Sequence, residues 1–380
     1  MNPGVLKRGR GSSRIGQAMF VLALMSALAA CGGELPSAEL PTDTPELKAL
    51  GQAIYFDTSL SSPPGQSCAS CHADNAGFAD PNRNLPVSEG VISGRFGNRN
   101  SPTTSYAAFI PPFQLVNDIG GDFYIGGQFM DGRASTLEDQ AKAPFLNPLE
   151  MNNPDKASVV LAVSRANYAA DFRVLFGDNI FNNVDRAYDR IAEAIAAFER
   201  STFFSPFSSK FDAFQRGVVM LTASELRGSL LFIGKAECAR CHESPAGGAD
   251  VGSDFRYHNI GVPPNPNNPF LYLGPEFNPE GMSFVDMGLG GVLGLASENG
   301  KFRTPTMRNI ALTPPYMHNG VFDTLEQVIQ FYNRRDVDGV VPEVADNIDN
   351  IDNIGELGLT DAEVQDLIAF LNTMTDGFTR

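Results

Sequence analysis

Apolar positions recur every three to four residues in several short segments, a spacing that predicts helices with one buried face. The first segment starts at Thr44-Pro45, a capping residue followed by a proline, which suits the first position of a helix. Later segments start at Thr-x-x-Glu or Thr-x-x-Gln, where two side chains cap the first turn reciprocally. Alternating strand patterns are nearly absent, so the fold class predicted is mainly α, with long Gly/Pro/Asn-rich loops. The predicted helices carry Leu47, Leu50, Ile54 and Tyr55 after Thr44; Ile191, Ile195 and Phe198 within 184–204; Leu226, Leu230 and Ile233 after Thr222; Leu325, Val328, Ile329 and Tyr332 after Thr324; and a last helix from Thr360 to about Thr373.

Two of these predicted helices lead into the same five-residue pattern, Cys-x-x-Cys-His. It stands at Cys68-Ala-Ser-Cys71-His72 and again at Cys238-Ala-Arg-Cys241-His242. At this spacing the two thiols can add to the vinyl groups of a haem as thioethers, and the adjacent imidazole can bind the iron. A single copy would leave a disulfide, a thiol redox pair or half of a zinc site as alternatives. Two copies, each with its histidine, predict a cytochrome with two covalent c-type haems.

The chain also repeats itself downstream of these motifs. The segment Phe129-Met-Asp-Gly-Arg-Ala-Ser-Thr-Leu-Glu138 is echoed by Tyr316-Met-His-Asn-Gly-Val-Phe-Asp-Thr-Leu-Glu326. The two motif histidines are 170 residues apart, so each repeat has the length of a domain rather than of a solenoid unit. We therefore predict two cytochrome c-like domains, 46–205 and 206–380, joined near the linker segment 205–209.

The first 45 residues are typical of a segment that directs export and membrane anchoring. Four basic residues precede the apolar run Met19–Ala30, which is too short for a comfortable membrane span and fits a signal peptide. The run ends in Leu28-Ala-Ala-Cys31, which looks like a bacterial lipobox, in which the cysteine is lipidated. We predict a signal peptide over 1–30, a tether over 31–45, and a lipid-anchored protein on the periplasmic side of the envelope, with the outer membrane favoured. A non-lipidated signal peptide with an incidental Cys31 stays open.

The formal charge of −16 and the pI near 4.7 argue against nucleic acid as a partner and favour a neutral or basic one.

These motifs together resemble the bacterial dihaem cytochrome c peroxidases, including their MauG-type members. The resemblance covers roughly Thr44 to the C-terminus. It implies an oxidoreductase that reduces hydrogen peroxide to water with electrons from a small donor cytochrome or cupredoxin. A MauG-like enzyme, which uses peroxide to oxidise side chains of a partner protein, is the alternative, and a plain electron-transfer cytochrome is a third hypothesis. Besides the haem motifs, the resemblance rests on Arg99-Asn-Ser-Pro-Thr103, Asp131-Gly-Arg133, Asn147-Pro-Leu-Glu-Met151, Arg303-Thr-Pro-Thr-Met-Arg-Asn309 and Tyr316-Met-His-Asn-Gly320.

The first haem is predicted to keep one face open. No histidine occurs between His72 and His242. Family members that need reductive activation keep a distal histidine where this chain has Ser88. An iron with one strong axial ligand can bind peroxide on its other face, although a methionine could still close it.

The resemblance also assigns roles around the first haem. Glu150 would move the proton during peroxide cleavage, and Gln140 and Pro144 would line the same pocket. Arg133 would pair with a haem propionate.

The second haem needs a ligand opposite His242, and Tyr332, Met317 and His258 are the candidates. In the family this position lies 14 residues after the histidine that corresponds to His318. It is a methionine in most peroxidases and a tyrosine in MauG-type members, and here it is Tyr332. The same spacing also fits a tyrosine that merely packs in the core of a helix, and this reading stays open. Met317 is the runner-up.

Two further features follow from the resemblance. The family usually has a tryptophan before Asp-Gly-Arg that relays electrons between the haems, whereas this chain has Met130 there and no tryptophan at all. A calcium ion lies between the domains in the family, and its ligand positions correspond to Asn100, Thr313 and Pro315. Oxygen ligands of this kind suit calcium.

Overall fold

The computed structural model describes residues 43–243, 249–349, 351 and 353–379. The predicted signal peptide, the lipidated Cys31 and nearly all of the tether lie outside the described residues. No helix in the described ranges is long and apolar enough to cross a membrane. Residues Asp43–Arg380 form one compact unit, and the predicted boundary between two cytochrome domains stays a prediction.

Helices dominate the described chain, and the strands are only two or three residues long, as predicted. Each strand pairs with one antiparallel neighbour, β1 with β2 and β3 with β4. The helices are α1 Pro45–Tyr55, α2 Cys68–Cys71, α3 Leu137–Leu146, α4 Lys156–Arg165, α5 Ala169–Phe176, α6 Val184–Glu199, α7 Lys210–Gln215, α8 Ala223–Ile233, α9 Ala239–His242, α10 Gly288–Leu293, α11 Leu325–Arg334 and α12 Asp361–Asn372; the strands are β1 Gln114–Val116, β2 Phe123–Ile125, β3 Tyr257–His258 and β4 Phe302–Arg303.

Two hydrophobic cores are each built around a close crossing of two helices. The first core, within residues 47–204, packs α1 on α6, and the second, within 232–374, includes α12 packed on α8. Both crossings require glycine. A Cβ on Gly51 would lie 1.8 Å from the carbonyl oxygen of Ala194, and one on Gly228 would lie 2.0 Å from that of Asp366. Because a backbone oxygen in a packed helix has little room to move aside, only glycine lets the helices approach this far.

We expect Gly228→Ala to lower the thermal unfolding midpoint. Overpacking of this kind costs about 1–3 kcal/mol, which exceeds the roughly 1 kcal/mol that alanine gains over glycine in a helix. The control is Gly97→Ala, because a Cβ there would have its nearest neighbour at 3.8 Å. Equal midpoints for the two variants, measured by circular dichroism, would show that the crossing tolerates a methyl group.

The prediction for the buried face of α8 is wrong. Gly228 and Phe232 turn inward, whereas Leu226 is 45% exposed, Leu230 64% and Ile233 71%. The glycine contact with α12 sets the rotation of the helix about its axis. The apolar stripe that the sequence pattern assigned to the core is therefore left on the surface.

The other helix predictions are confirmed, with one shorter helix. α1, α8, α11 and α12 begin at their predicted caps, and Ile191, Ile195 and Phe198 are buried. α6 ends at Glu199 rather than near Phe204, because Phe203 and Phe204 fold back onto Phe198 with ring centroids 5.4 and 5.0 Å away.

The predicted linker is a packed segment. Ser209 is fully buried and caps α7, and the ring of Phe207 packs edge-on against Tyr106 at 4.9 Å. Residues 205–209 therefore connect the two cores through buried contacts and do not form a solvent-exposed linker.

The internal repeat predicted from the sequence is present in the backbone. An isolated antiparallel bridge joins Gln128 to Ala134, and the same bridge joins Tyr316 to Phe322. Each hairpin has positive φ at its second and fifth residues, and each is followed three residues later by a helix capped by threonine. α3 and α11 therefore occupy equivalent places in the two halves.

Candidate haem sites

Both motif histidines are oriented alike by the backbone. The Nδ1–H of His72 donates to the carbonyl of Phe78 at 3.3 Å, and that of His242 donates to the carbonyl of Gly252 at 3.0 Å. Burial lowers the pKa of both imidazoles, which keeps them neutral. A neutral ring whose Nδ1 carries the proton presents its Nε2 lone pair to a metal.

The four motif cysteines form no disulfide with one another. Burial raises the pKa of the Cys71 and Cys238 thiols to about 12. Reactive Cys-x-x-Cys pairs instead have a lowered pKa, because the thiolate is the nucleophile. The environment thus disfavours a thiol redox pair and fits thiols that are consumed in covalent attachment.

Ser88, at the position where the family resemblance predicts a second histidine ligand in some members, lies close to the first haem motif. Ser88 lies against Cys71 and donates its hydroxyl hydrogen to the carboxylate of Asp80. The chain has four histidines, and the two outside the haem motifs, His258 and His318, both line the other haem cavity. The buried Oε1 of Gln66, whose amide nitrogen is 3.6 Å from Cys71 Sγ, has no hydrogen-bond partner in the described chain. This orphaned oxygen fits a site completed by a bound group.

Glu150 lies beside the same motif. Burial mainly raises the pKa of the Cys68 and Cys71 thiols, and the charge of Glu150 adds to both shifts, so its carboxyl group is close to the attachment site. Asn147 Nδ2 donates to Glu150 Oε1 at 2.7 Å and fixes the side chain. Burial raises the pKa of Glu150, while this hydrogen bond and the charge of Arg133 oppose the shift.

The other residues assigned to the first haem lie on α3 and on the hairpin before it. Gln140 and Pro144 are one helical turn apart on α3, whose end leads into Asn147. Arg133 is 43% exposed, pairs with Asp131 at 2.9 Å and stacks its guanidinium over Phe129 at 3.6 Å. Within the described residues its other guanidinium donors make no hydrogen bond, so they can meet a carboxylate at the edge of the site.

One mostly apolar cavity collects the residues assigned to the second haem. Cys238, Cys241 and His242 line it together with Tyr332 and Met317.

An arginine lies in the wall of this cavity. Arg303 as a whole is partly exposed, but its Nε is buried and has no hydrogen-bond partner in the described chain, and desolvation lowers its pKa. An arginine with an unpaired buried donor fits an anionic group such as a haem propionate. The cavity therefore suits a large apolar ring with acidic substituents.

The three candidate distal ligands of this cavity differ in how they are held. His258 is engaged on both ring nitrogens, by Asp349 at 2.7 Å and Asp254 at 3.3 Å. Burial alone would lower the pKa of His258, but its interactions with Asp254, Asp349 and Cys241 raise that pKa to about 11. A protonated imidazole cannot bind iron. The Tyr332 hydroxyl has no partner in the described residues, and burial raises its pKa. Met317 sits on the hairpin with φ of 71°.

The repeat gives Tyr332 a counterpart in the first half. Tyr332 is the eighth residue of α11, and Pro144 is the eighth residue of the equivalent α3. A proline has no atom that can bind iron, whereas a phenol oxygen can. The same helix position therefore carries a possible iron ligand in the second half of the chain and none in the first half.

Met130 and the predicted calcium ligands also line the second cavity. The carbonyl of Met130 accepts a hydrogen bond from the Arg303 N–H at 2.8 Å. Asn100, Thr313 and Pro315 lie along the cavity, and within the described residues the Asn100 Oδ1 and the two carbonyl oxygens accept no hydrogen bond. These neutral oxygens fit a hard cation such as calcium.

Sequence reasoning missed the ion pairs that hold loops together beside the second cavity. Arg99 donates to Asp286 and to Asp131, both at 2.6 Å, and thereby joins loops far apart in sequence. His318 pairs with Glu343 at 3.0 Å. No local pattern marks such pairs, since their partners are separated by long loops.

Asp349 was also missed, because it lies in the Asp/Asn-rich segment 346–352, whose composition by itself is typical of a solvated loop. The described part of that segment reaches back to His258.

Two Cys-x-x-Cys-His segments with matched imidazole geometry define a c-type cytochrome with two haem sites, one lacking a second histidine. Comparison with known proteins agrees. The profile of the family described as di-haem cytochrome c peroxidase matches residues 45–219. The methylamine utilization protein MauG of Paracoccus denitrificans is 39% identical over 352 residues, which cover 87% of this chain and 88% of that protein.

Two further proteins are similar over most of their length. The cytochrome c551 peroxidase of Nitrosomonas europaea is 30% identical over 341 residues, covering 90% of this chain and 84% of that protein. The solved structure of the diheme peroxidase BthA from Burkholderia thailandensis matches with a TM-score of 0.77 and 32% sequence identity. The match covers 88% of this chain and 87% of the BthA chain. The chain belongs to the di-haem cytochrome c peroxidase family and is an oxidoreductase of the peroxidase type.

Proposed function

We propose that this protein reduces hydrogen peroxide at its first haem with two electrons that enter through its second haem. Bound haem iron supplies the redox centre at which peroxide is reduced. The observation that carries the proposal is the asymmetry of the two sites. Ser88 lies beside Cys71 of the first motif, Tyr332 lines the second cavity, and the helix position equivalent to Tyr332 in the first half is Pro144. A plain electron-transfer cytochrome would instead need both irons closed by two strong ligands.

The chain's own residues divide the remaining work. Glu150 takes a proton from one peroxide oxygen and returns it to the departing oxygen. The hydrogen bond from Asn147 holds the Glu150 carboxylate in position. Gln140 and Pro144 restrict the pocket beside it. Arg133 binds an anionic haem substituent from the rim.

A second candidate function is the MauG-like oxidation of side chains in a partner protein. The position of Tyr332 favours it, because a hard phenol oxygen stabilises the oxidised state of iron. Met130 weighs against fast exchange between the haems, since methionine is harder to oxidise than the tryptophan usual in the family. The two candidates differ in electron source, and share the open first site.

Several finer assignments belong to the same proposal. The two hydrophobic cores support two cytochrome c-like domains, one per haem. The oxygens of Asn100, Thr313 and Pro315 would hold a calcium ion. The lipobox-like segment ending at Cys31 supports export and a lipid anchor on the periplasmic side, with the outer membrane favoured.

The fully oxidised protein is expected to react with peroxide without prior reduction, because Ser88 offers no nitrogen ligand to the first iron. Stopped-flow absorption spectra of the diferric protein should change on mixing with one equivalent of peroxide. The matched variant is Ser88→His, which should slow that reaction until the protein is partly reduced. A wild-type spectrum that does not respond to peroxide would contradict the proposal, since it would mean that another side chain closes the site.

A further inference from the structure

Three tyrosines line the second haem cavity, and their hydroxyl groups are held differently. Tyr332 has no hydroxyl partner in the described residues, and Tyr316 donates to the backbone carbonyl of Ile310. Tyr106 donates instead to the carboxylate of Asp376, with oxygen–oxygen distances of 2.9 and 3.0 Å, and the residue is only 2% exposed. Tyr106 is therefore a buried phenol in the cavity wall with a base in contact with its hydroxyl group.

Other hydrogen bonds hold the Asp376 carboxylate in place for this contact. The backbone N–H and the hydroxyl group of Ser208 donate to one carboxylate oxygen at 3.0 and 3.2 Å, and the side-chain amide of Asn309 donates to the other at 3.0 Å. The Tyr106 oxygen in turn accepts from the N–H of Phe207 at 3.1 Å. The phenol and the carboxylate are thus fixed relative to each other, as proton transfer between them requires.

The backbone at position 106 does not require a tyrosine. Tyr106 and Asn309 each stand three residues after the threonine of a Pro-Thr pair and cap a short 3-10 helix, with φ of 58° and 59°. Asparagine adopts this left-handed conformation readily, whereas a bulky side chain does so at a cost. The equivalent position in the second half thus carries a residue that the backbone favours. A tyrosine held there despite the cost points to a role for its side chain.

Tyr106 is connected to both haem sites. The N–H of Thr104 donates to the carbonyl of Phe78 at 3.0 Å, and the same carbonyl accepts the Nδ1–H of His72 at 3.3 Å. One shared carbonyl and two residues of chain therefore separate Tyr106 from the imidazole of the first motif. Tyr106 also lines the cavity of the second motif together with His242.

The surroundings of Tyr106 suit the loss of an electron coupled to the loss of a proton. A phenol is easier to oxidise than the thioether of Met130, above all when a base takes its proton. Burial and the charge of Asp376 raise the pKa of the Tyr106 hydroxyl, so the group still carries this proton at rest. The guanidinium of Arg308 lies 5.4 Å from the ring centroid and opposes oxidation, but it is paired with the buried Asp212 at 2.8 Å.

We propose that Tyr106 is a redox-active residue that passes single electrons from the second haem site to the first, with Asp376 as its proton acceptor. The inference rests on the proposed function, because the peroxide reduced at the first site is the oxidant. Each reduction of H₂O₂ takes up two protons and two electrons and yields two waters. For each electron, the Tyr106 O–H bond breaks, the electron moves to the first site and the proton moves to the Asp376 carboxylate. The tyrosyl radical then takes an electron from the second site, and its proton returns from Asp376.

The test detects the tyrosyl radical by electron paramagnetic resonance. Diferric holoprotein is mixed with one equivalent of H₂O₂ without a donor and freeze-quenched, and stopped-flow absorption is recorded on the same mixture. The variants are Tyr106→Phe, which keeps the ring, and Asp376→Asn, which keeps the shape of the side chain but is a poor base. The control is Tyr168→Phe, because Tyr168 also donates to a carboxylate, that of Asp57 at 2.6 Å, but does not line the second cavity.

Wild type and Tyr168→Phe should give the same radical signal, which should narrow when ring-deuterated tyrosine is supplied. Tyr106→Phe should lose the signal and Asp376→Asn should weaken it, while the absorption change on mixing with peroxide persists in both. Difluorotyrosine placed at position 106 keeps the hydroxyl group and should add fluorine splitting to the signal. This last sample assigns the radical even where the phenylalanine variant does not fold.

Three outcomes overturn the assignment of Tyr106. One is a wild-type protein that reacts with peroxide and gives no tyrosyl signal. Another is a signal that survives in Tyr106→Phe or shows no fluorine splitting, and the third is a signal that Tyr168→Phe abolishes. If peroxide leaves the absorption spectrum unchanged, the proposed function is wrong. The difluorotyrosine protein is then oxidised with a flash-generated ruthenium(III) complex, and a radical without fluorine splitting there overturns the inference as well.

Discussion

Glu150→Gln should reduce the rate of peroxide turnover about 10²–10⁴-fold, the usual contribution of a general acid–base group. The substitution keeps the size of the side chain and can keep a hydrogen bond with Asn147, but it removes the basic oxygen. Peroxide should still enter the first site. The measurement is the steady-state kcat/KM with a small-molecule reductant, together with single-turnover rates after mixing with peroxide.

The pH profile separates a proton-transfer role from a structural one. Burial raises the pKa of Glu150, so the carboxylate form needed to accept a proton gains population as the pH rises through that pKa. Wild-type kcat/KM should therefore rise along this acid limb, and the Gln variant should lose the limb. The control is Glu89→Gln, whose carboxylate on a neighbouring loop accepts from Ser93 and Gly94 instead. A Glu150 variant with wild-type turnover would show that another group moves the proton.

Tyr332→Met should raise the midpoint potential of the second haem by on the order of 0.1 V or more. Differences in axial ligands change haem redox potentials over a range of roughly 0.8 V. A thioether stabilises reduced iron, whereas a phenol oxygen stabilises the oxidised state. The more easily reduced variant should also accept electrons better from a protein donor. Tyr332→Phe should leave the iron five-coordinate or let Met317 approach. A redox titration followed in the Soret and α bands measures both variants.

Tyr316→Phe is the matched control for this titration. Tyr316 lines the same cavity, but its hydroxyl donates to the carbonyl of Ile310 at 3.0 Å, so removing it should leave the haem spectrum unchanged. If neither Tyr332 variant alters the spectrum or potential, Tyr332 is a packing residue. The case for oxidation of a partner protein would then lose its main support.

The sequence by itself determined the chemistry that depends on near neighbours in the chain. Covalent haem attachment needs two thiols and an imidazole within five residues. The sequence shows this pattern at Cys68–His72 and at Cys238–His242. Helix starts were equally readable, because a cap involves residues only three apart, as at Thr222 and Thr360. The internal repeat followed from the same local signals.

Only the tertiary structure decided which faces are buried and which distant groups meet. Apolar spacing placed Leu230 and Ile233 in a core, but the contact of Gly228 with α12 rotates them to the surface. Such a rotation depends on a helix more than 130 residues away, which no local pattern encodes.

The role of His258 also depends on the tertiary structure. The sequence permits its imidazole as an iron ligand, but in the fold Asp254 and Asp349 interact with both of its ring nitrogens. Pairings between distant loops arise only when the chain is folded, because the free energy that fixes them comes from burial shared by both segments. For this reason the sequence could name the haems, while the fold determined which side chains are free to serve them.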